Sequence, residues 1–149
     1  MKAVIQRVKG ASVVIEGEEF SKIGQGLLIF LGIVKGDDES HADALAKKCA
    51  DLRIFEDVQG KMNLSVKEAG GEALVVSQFT LAADCRRGRR PSFDNATEPE
   101  TANRLYEYFT LKMKQGGIPT KNGRFAARME INILNDGPVT IVLDSKELI

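Results

Sequence analysis

Histidine and cysteine are scarce in this chain. Its 149 residues include one histidine, His41, and two cysteines, Cys49 and Cys85. A structural zinc site takes four N or S ligands, which this set cannot supply within one chain. Two cysteines make no disulfide framework, so the pattern reads as that of a reducing, cytoplasmic protein. An excess of charge of one sign is also missing, since 21 Lys and Arg balance 21 Asp and Glu. That excludes nucleic-acid binding by bulk charge and leaves only a local patch. No apolar run reaches the ~18 residues of a membrane span. The longest, Gly26–Val34, has the length of a core strand. The opening Met1–Val8 carries Lys2 and Arg7 and lacks the apolar stretch of a signal peptide. Repeats, low-complexity tracts and Pro/Gly-rich linkers are absent, so residues 1–149 are expected to form one domain. A chain of this size buries roughly 68–70% of its unfolded surface.

The reactive motifs that can be searched for are missing too. A serine-hydrolase triad needs a histidine beside its nucleophile. His41 falls in the first turn of an amphipathic helix, ahead of the apolar stripe, and is expected to be a solvated surface residue. Ser77 and Thr80 therefore have no evident base and no Gly-x-Ser-x-Gly elbow. A phosphate-binding Gly-x-x-x-x-Gly-Lys-[Ser/Thr] loop is absent.

What is present is a regular alternation of elements. Ala3–Val8 and Ala11–Ile15 read as strands parted by Lys9-Gly10, and Phe20–Ile23 comes after a Glu16-Gly17 turn. Gly26–Val34, apolar on both faces, reads as a central strand. Asp38–Phe55 is a predicted helix with Ser40 and Asp43 as a capping box and Ala42, Leu45, Ala46, Cys49 and Leu52 as its core stripe. Glu72–Leu81 is a predicted strand and Ala82–Ala96 a loop. Thr97 and Glu100 form a second capping box, opening a helix with Ala102, Leu105, Tyr106, Phe109 and Met113 on its core face. Phe125–Leu134 and Val139–Leu143 are predicted strands joined by an Asn135-Asp136-Gly137-Pro138 turn. The class is α+β, with two main amphipathic helices.

Arg86, Arg87, Arg89 and Arg90 crowd the Ala82–Ala96 loop. Their mutual repulsion and planar forks suit phosphate oxygens; the other reading is a solvated basic turn. Cys85 beside them is either a thiol activated by the arginines or an ordinary loop residue. Gly137-Pro138 is trans on frequency alone, although cis X-Pro bonds concentrate in tight turns.

Several segments together resemble one family. Ser77-Gln78-Phe79-Thr80-Leu81, paired with Asn135-Asp136-Gly137-Pro138-Val139-Thr140, resembles the signature of the D-aminoacyl-tRNA deacylases. Ala3–Val8, Leu52–Phe55 through Gly60–Asn63, Arg89–Phe93 and Gly123–Phe125 match in the same order over the whole chain. The resemblance implies a mixed or antiparallel sheet, or an open barrel-like core. It implies hydrolysis of the ester between a D-amino acid and the 3′ end of tRNA, by a homodimer with no cofactor and no metal. Ser77, Gln78, Phe79 and Thr80 would line the site. Gly137 and Pro138, in a cis turn inserted into the partner's site, would reject L residues. Phe125, Met129 and Arg7 complete the set expected at the substrate, and Arg86, Arg87, Arg89 and Arg90 would hold tRNA phosphates. The family's reading gives the attack to assistance by the tRNA's terminal 2′-hydroxyl, which fits a Thr80 without a base. A backbone wall against the α-hydrogen would clash with any L β-carbon but would admit glycine, so glycyl-tRNA is an expected substrate. Two other classes remain open: a non-catalytic RNA-binding module, and a thiol-dependent hydrolase using Cys85.

Overall fold

The computed structural model describes residues 1–149. Strand β1 (Lys2–Ile15) is the spine. It pairs antiparallel with β2 (Glu18–Ile23) and β3 (Gly26–Gly32) on one side. Helix α1 (Glu39–Asp51) and a hairpin of β4 (Phe55–Glu56) and β5 (Met62–Leu64) lead to β6 (Glu72–Ser77). Helix α2 (Pro99–Gln115), β7 (Thr120–Asn122) and β8 (Glu130–Asp144) complete the chain. The sheet order is β2-β1-β3-β6-β7, and β8 runs along the free side of β1. Pairs β3–β6 and β6–β7 are parallel, so the sheet is mixed and the chain must cross over twice. Each crossover carries one helix. Two right-handed crossovers advancing the same way put both helices on one face. The helices meet there through Lys112 Nζ and Asp43 Oδ1 at 3.1 Å and an Arg104–Glu39 ion pair.

The main core lies between that face and the helices, with Ile5, Leu27, Ile29, Leu31, Val75, Leu45 and Phe109 at its centre. A smaller cluster, including Val8, Val13, Leu28, Leu74 and Val76, fills the opposite face. Strand β3 feeds both, as its two-sided apolar run requires. Strand β1 changes faces: Ala3 and Ile5 point to the helices, while Val8, Ala11 and Val13 point away. Irregular register at Val8 and Gly10 accomplishes the switch and bends the sheet toward a barrel.

Several boundaries differ from expectation. Lys9-Gly10 does not break β1, because β8 pairs across it. The α1 cap is Asp38, not Ser40 with Asp43. Asp38 Oδ1 accepts from the N–H groups of Ser40 (3.0 Å) and His41 (3.3 Å), with the His41 ring reciprocating at the Asp38 backbone. His41 is thus part of the cap and not simply solvated. Helix α1 stops at Asp51, so that Ile54 and Phe55 can enter the core as β4 begins. Helix α2 starts at Pro99 without a side-chain cap, so Thr97 does not serve as one. The expected Asn135–Pro138 turn lies inside the single strand β8. Gln6 pairs with Thr140 and Val8 with Asn135, which leaves Arg7 alone opposite Asp136–Val139. Both flanks are held by one partner strand, so the four residues are extruded as a wide bulge.

Candidate active site

A cavity of about 620 Å³ opens beyond the carboxyl ends of the parallel strands β3 and β6. Crevices at strand carboxyl ends are where open sheets containing parallel strands bind ligands. Leu31, Ile33 and Val76 form its floor, and Phe125, Met129 and Ile131 form one wall. The lining contains no ionisable residue.

The expected Glu72–Leu81 strand ends at Ser77, and the residues after it build the rim. The Gln78 N–H donates to Leu31 O at 2.8 Å, the last tie to β3. Phe79–Ala82 then makes one 3₁₀ turn, closed by Leu81 N–H to Gln78 O at 3.2 Å. That turn lies directly over Gly32. A β-carbon there would stand 2.8 Å from Leu81 Cβ and 3.0 Å from Gln78 O. Gly32 is a supporting residue beneath the turn that motif reasoning overlooked; a glycine ending an apolar strand was the available signal.

Ser77, Gln78 and Phe79 line the cavity, and Thr80 sits exposed on the same turn. The Gln78 side-chain amide donates to the Thr80 hydroxyl. The Phe79 ring packs edge-on to Phe93 at 5.1 Å, at the mouth. Phe125 and Met129 belong to the cavity wall, although residues 125–129 are not strand. Ala126 has φ +60 and Ala127 N–H bonds to Arg124 O, so the chain turns there. Met129 Sδ occupies the space that a β-carbon on Gly123 would need, 2.7 Å away. Behind the wall, Tyr106 donates its hydroxyl to Val75 O at 2.8 Å, and burial pushes its phenol pKa up.

Arg7, Gly137 and Pro138 do not line this cavity. They meet one another at the β8 bulge, where the Gly137–Pro138 bond is cis. Arg7 is buried. It donates through Nη1 to Ile54 O (2.7 Å) and through Nε to Asp136 O (3.1 Å). The Asn135 amide donates to Val139 O at 3.0 Å. Gly137 has φ +125, and a β-carbon there would meet Arg7 Nη2 at 2.8 Å. The bulge is pinned from beneath while Gly137 and Pro138 stay exposed.

The arginine loop is bridged at its base by Asp84 and Ser92, whose backbones exchange hydrogen bonds of 2.8 and 2.9 Å. Only Arg86 has a protein partner, Asp84; Arg87, Arg89 and Arg90 are exposed and unpaired. Cys85 is exposed in this loop and outside the cavity lining. Cys49 is buried, and burial pushes its thiol up to about 12.

The fold is shared with solved structures. A structure described as "a probable eukaryotic D-amino acid tRNA deacylase" shares this fold with TM-score 0.83 and 14% identity, over 95% of this chain and 97% of that one. Another, described as "c-Myc DNA Unwinding Element Binding Protein", aligns with TM-score 0.91 and 40% identity, over 97% and 98% of the two chains. The family model described as D-Tyr-tRNA(Tyr) deacylase matches residues 4–144, and the chain belongs to that family. Proteins named D-aminoacyl-tRNA deacylase are 55% identical in Pelobacter propionicus (97% of this chain, 99% of that one) and 57% identical in Persephonella marina (99% and 100%). As a member of the family the chain is an enzyme, a hydrolase of aminoacyl-tRNA esters. No helix is long and apolar enough to cross a membrane.

Proposed function

We propose that this protein frees tRNA from D-amino acids in the cytoplasm by positioning the ester for attack assisted by the tRNA's own 2′-hydroxyl. One observation carries the reading: the cavity is lined without an ionisable group. Such a site cannot activate a protein nucleophile, but it can hold an already reactive ester and offer dipoles to the oxyanion. The Ser77–Thr80 turn is the element at hand for that. Metal and thiol are not required by this route.

Chiral rejection falls to Gly137 and Pro138 of a second copy. The pair is exposed and outside its own chain's cavity, which supports insertion into a partner. The exposed Ile133, Leu134 and Val142 on the same strand suit a face covered in a homodimer. A pinned backbone turn excludes a β-carbon on the L side and leaves the D side chain unread. Glycine, lacking a β-carbon, passes. The test is single-turnover deacylation of D-alanyl-, glycyl- and L-alanyl-tRNA. Hydrolysis of the first two and refusal of the third is expected. Refusal of glycine as strong as that of L-alanine would replace exclusion by direct recognition of the D side chain. Binding without any turnover would leave an RNA-binding module, and loss of turnover on alkylation would bring back Cys85.

A further inference from the structure

The four loop arginines do not stand in equivalent positions. Arg86 folds back onto Asp84, with Nε 2.9 Å from Oδ1 and Nη2 2.5 Å from Oδ2. Its backbone N–H reaches the same carboxylate at 3.0 Å. The Nε–Nη2 edge of the planar fork, the edge best suited to grip a phosphate, is occupied by a carboxylate of matching geometry. An incoming phosphate would also meet the Asp84 charge, and that of Asp94 across the same shallow depression. Arg87, Arg89 and Arg90 make no hydrogen bond or ion pair within the protein. They are carried past the Asp84–Ser92 bridge on a turn in which Gly88 has φ +67. The same loop runs on to Phe93, which lines the cavity.

We infer that Asp84 is a positioning residue that withdraws Arg86 from tRNA binding and leaves Arg87, Arg89 and Arg90 as the phosphate ligands. This rests on the deacylase reading above and narrows the expected set of four arginines to three. Asp84 remains ionised throughout the neutral range, because the Arg86 side chain and backbone hold its carboxyl down to about 2. Asp84 is therefore charged and available to Arg86 at physiological pH.

The experiment is the salt dependence of binding to unacylated tRNA, which needs no turnover. Each phosphate contact contributes about 0.7–0.9 to the log–log slope. Arg87→Ala, Arg89→Ala and Arg90→Ala should each flatten the slope by about that amount. Arg86→Ala should leave it unchanged. Asp84→Ala should release Arg86 and steepen the slope by one contact. The double variant Asp84→Ala with Arg86→Ala should return it to the wild-type value, which a merely unfolded loop would not do. Flattening by Arg86→Ala equal to that by Arg87→Ala would overturn the inference, as would a slope unmoved by Asp84→Ala. Failure of the deacylase reading registers separately, as absence of D-aminoacyl-tRNA turnover by the wild-type protein.

Discussion

A threonine hydroxyl becomes a useful nucleophile at neutral pH only when a neighbouring base takes its proton. Thr80 has the Gln78 amide beside it, which donates and cannot accept in that role. Thr80→Ala is therefore expected to keep most of its kcat toward D-aminoacyl-tRNA. A loss beyond about a thousandfold, roughly 4 kcal/mol of barrier, with the fold intact would restore a protein nucleophile. Gly32 is the opposite case, a residue without chemistry on which the turn beside the cavity is packed. An added methyl would press on Leu81 and on the Gln78 carbonyl, which closes the Phe79–Ala82 turn. Gly32→Ala should cost about 1–3 kcal/mol in urea unfolding, the usual penalty for overpacking. It should also lower kcat/KM. A variant with wild-type stability and rate would show that the turn is not seated on β3.

Among the elements, helix α1 carries an acid-sensitive start. The Asp38 carboxyl is held well below the usual carboxylate range by the Ser40 and His41 side chains and the His41 backbone. The capping box supplies these contacts only to the folded state. A carboxyl lowered on folding stabilises above its unfolded pKa near 3.8, and that stabilisation is lost as pH falls through the folded value. Asp57, held down by Asn63 and backbone N–H groups, and Glu68, held down by Ser65, act in the same direction. The melting temperature should therefore fall below about pH 4, and Asp38→Asn should make that decline shallower. An identical acid limb in the variant would remove the cap as its source. The β8 bulge is the other element with consequences. Its position was legible from Asn135-Asp136-Gly137-Pro138, but its nature was not. A turn and a bulge share residue preferences. Only the pairing of both flanks with β1, more than a hundred residues earlier, separates them.

For the whole molecule, the question is which chain completes which site. The bulge does not line the cavity of its own chain, and on the proposed reading a site takes its cavity from one subunit and Gly137–Pro138 from the other. Twofold symmetry then gives two such sites. Where Gly137→Ala and Gln78→Ala each abolish turnover as homodimers and subunits exchange, mixing them should restore D-alanyl-tRNA turnover, because each heterodimer holds one intact pair. Verified heterodimers without turnover would assign the bulge to its own chain's function.

Local pattern alone determined much of this protein. The 3.6-residue stripes located both helices, since Ala42, Leu45, Ala46 and Cys49 had one face to bury. The two-sided apolar run of β3 located the centre of the sheet. The want of a histidine at Ser77 and Thr80 left no evident triad, and the family resemblance, beyond local pattern, marked Ser77, Gln78, Phe79, Phe125 and Met129, which line one cavity. These are short-range facts, encoded in spacing and residue type. Tertiary structure decided the rest. It extended β1 through Lys9-Gly10, turned Phe125–Met129 from strand into wall, and set Arg7 beneath the bulge instead of in the cavity. It also joined Arg86 to Asp84 while leaving its three neighbours free. Each of these depends on which partner occupies the space beside a residue, and a sequence pattern records the preference of a side chain but not the neighbour that satisfies it.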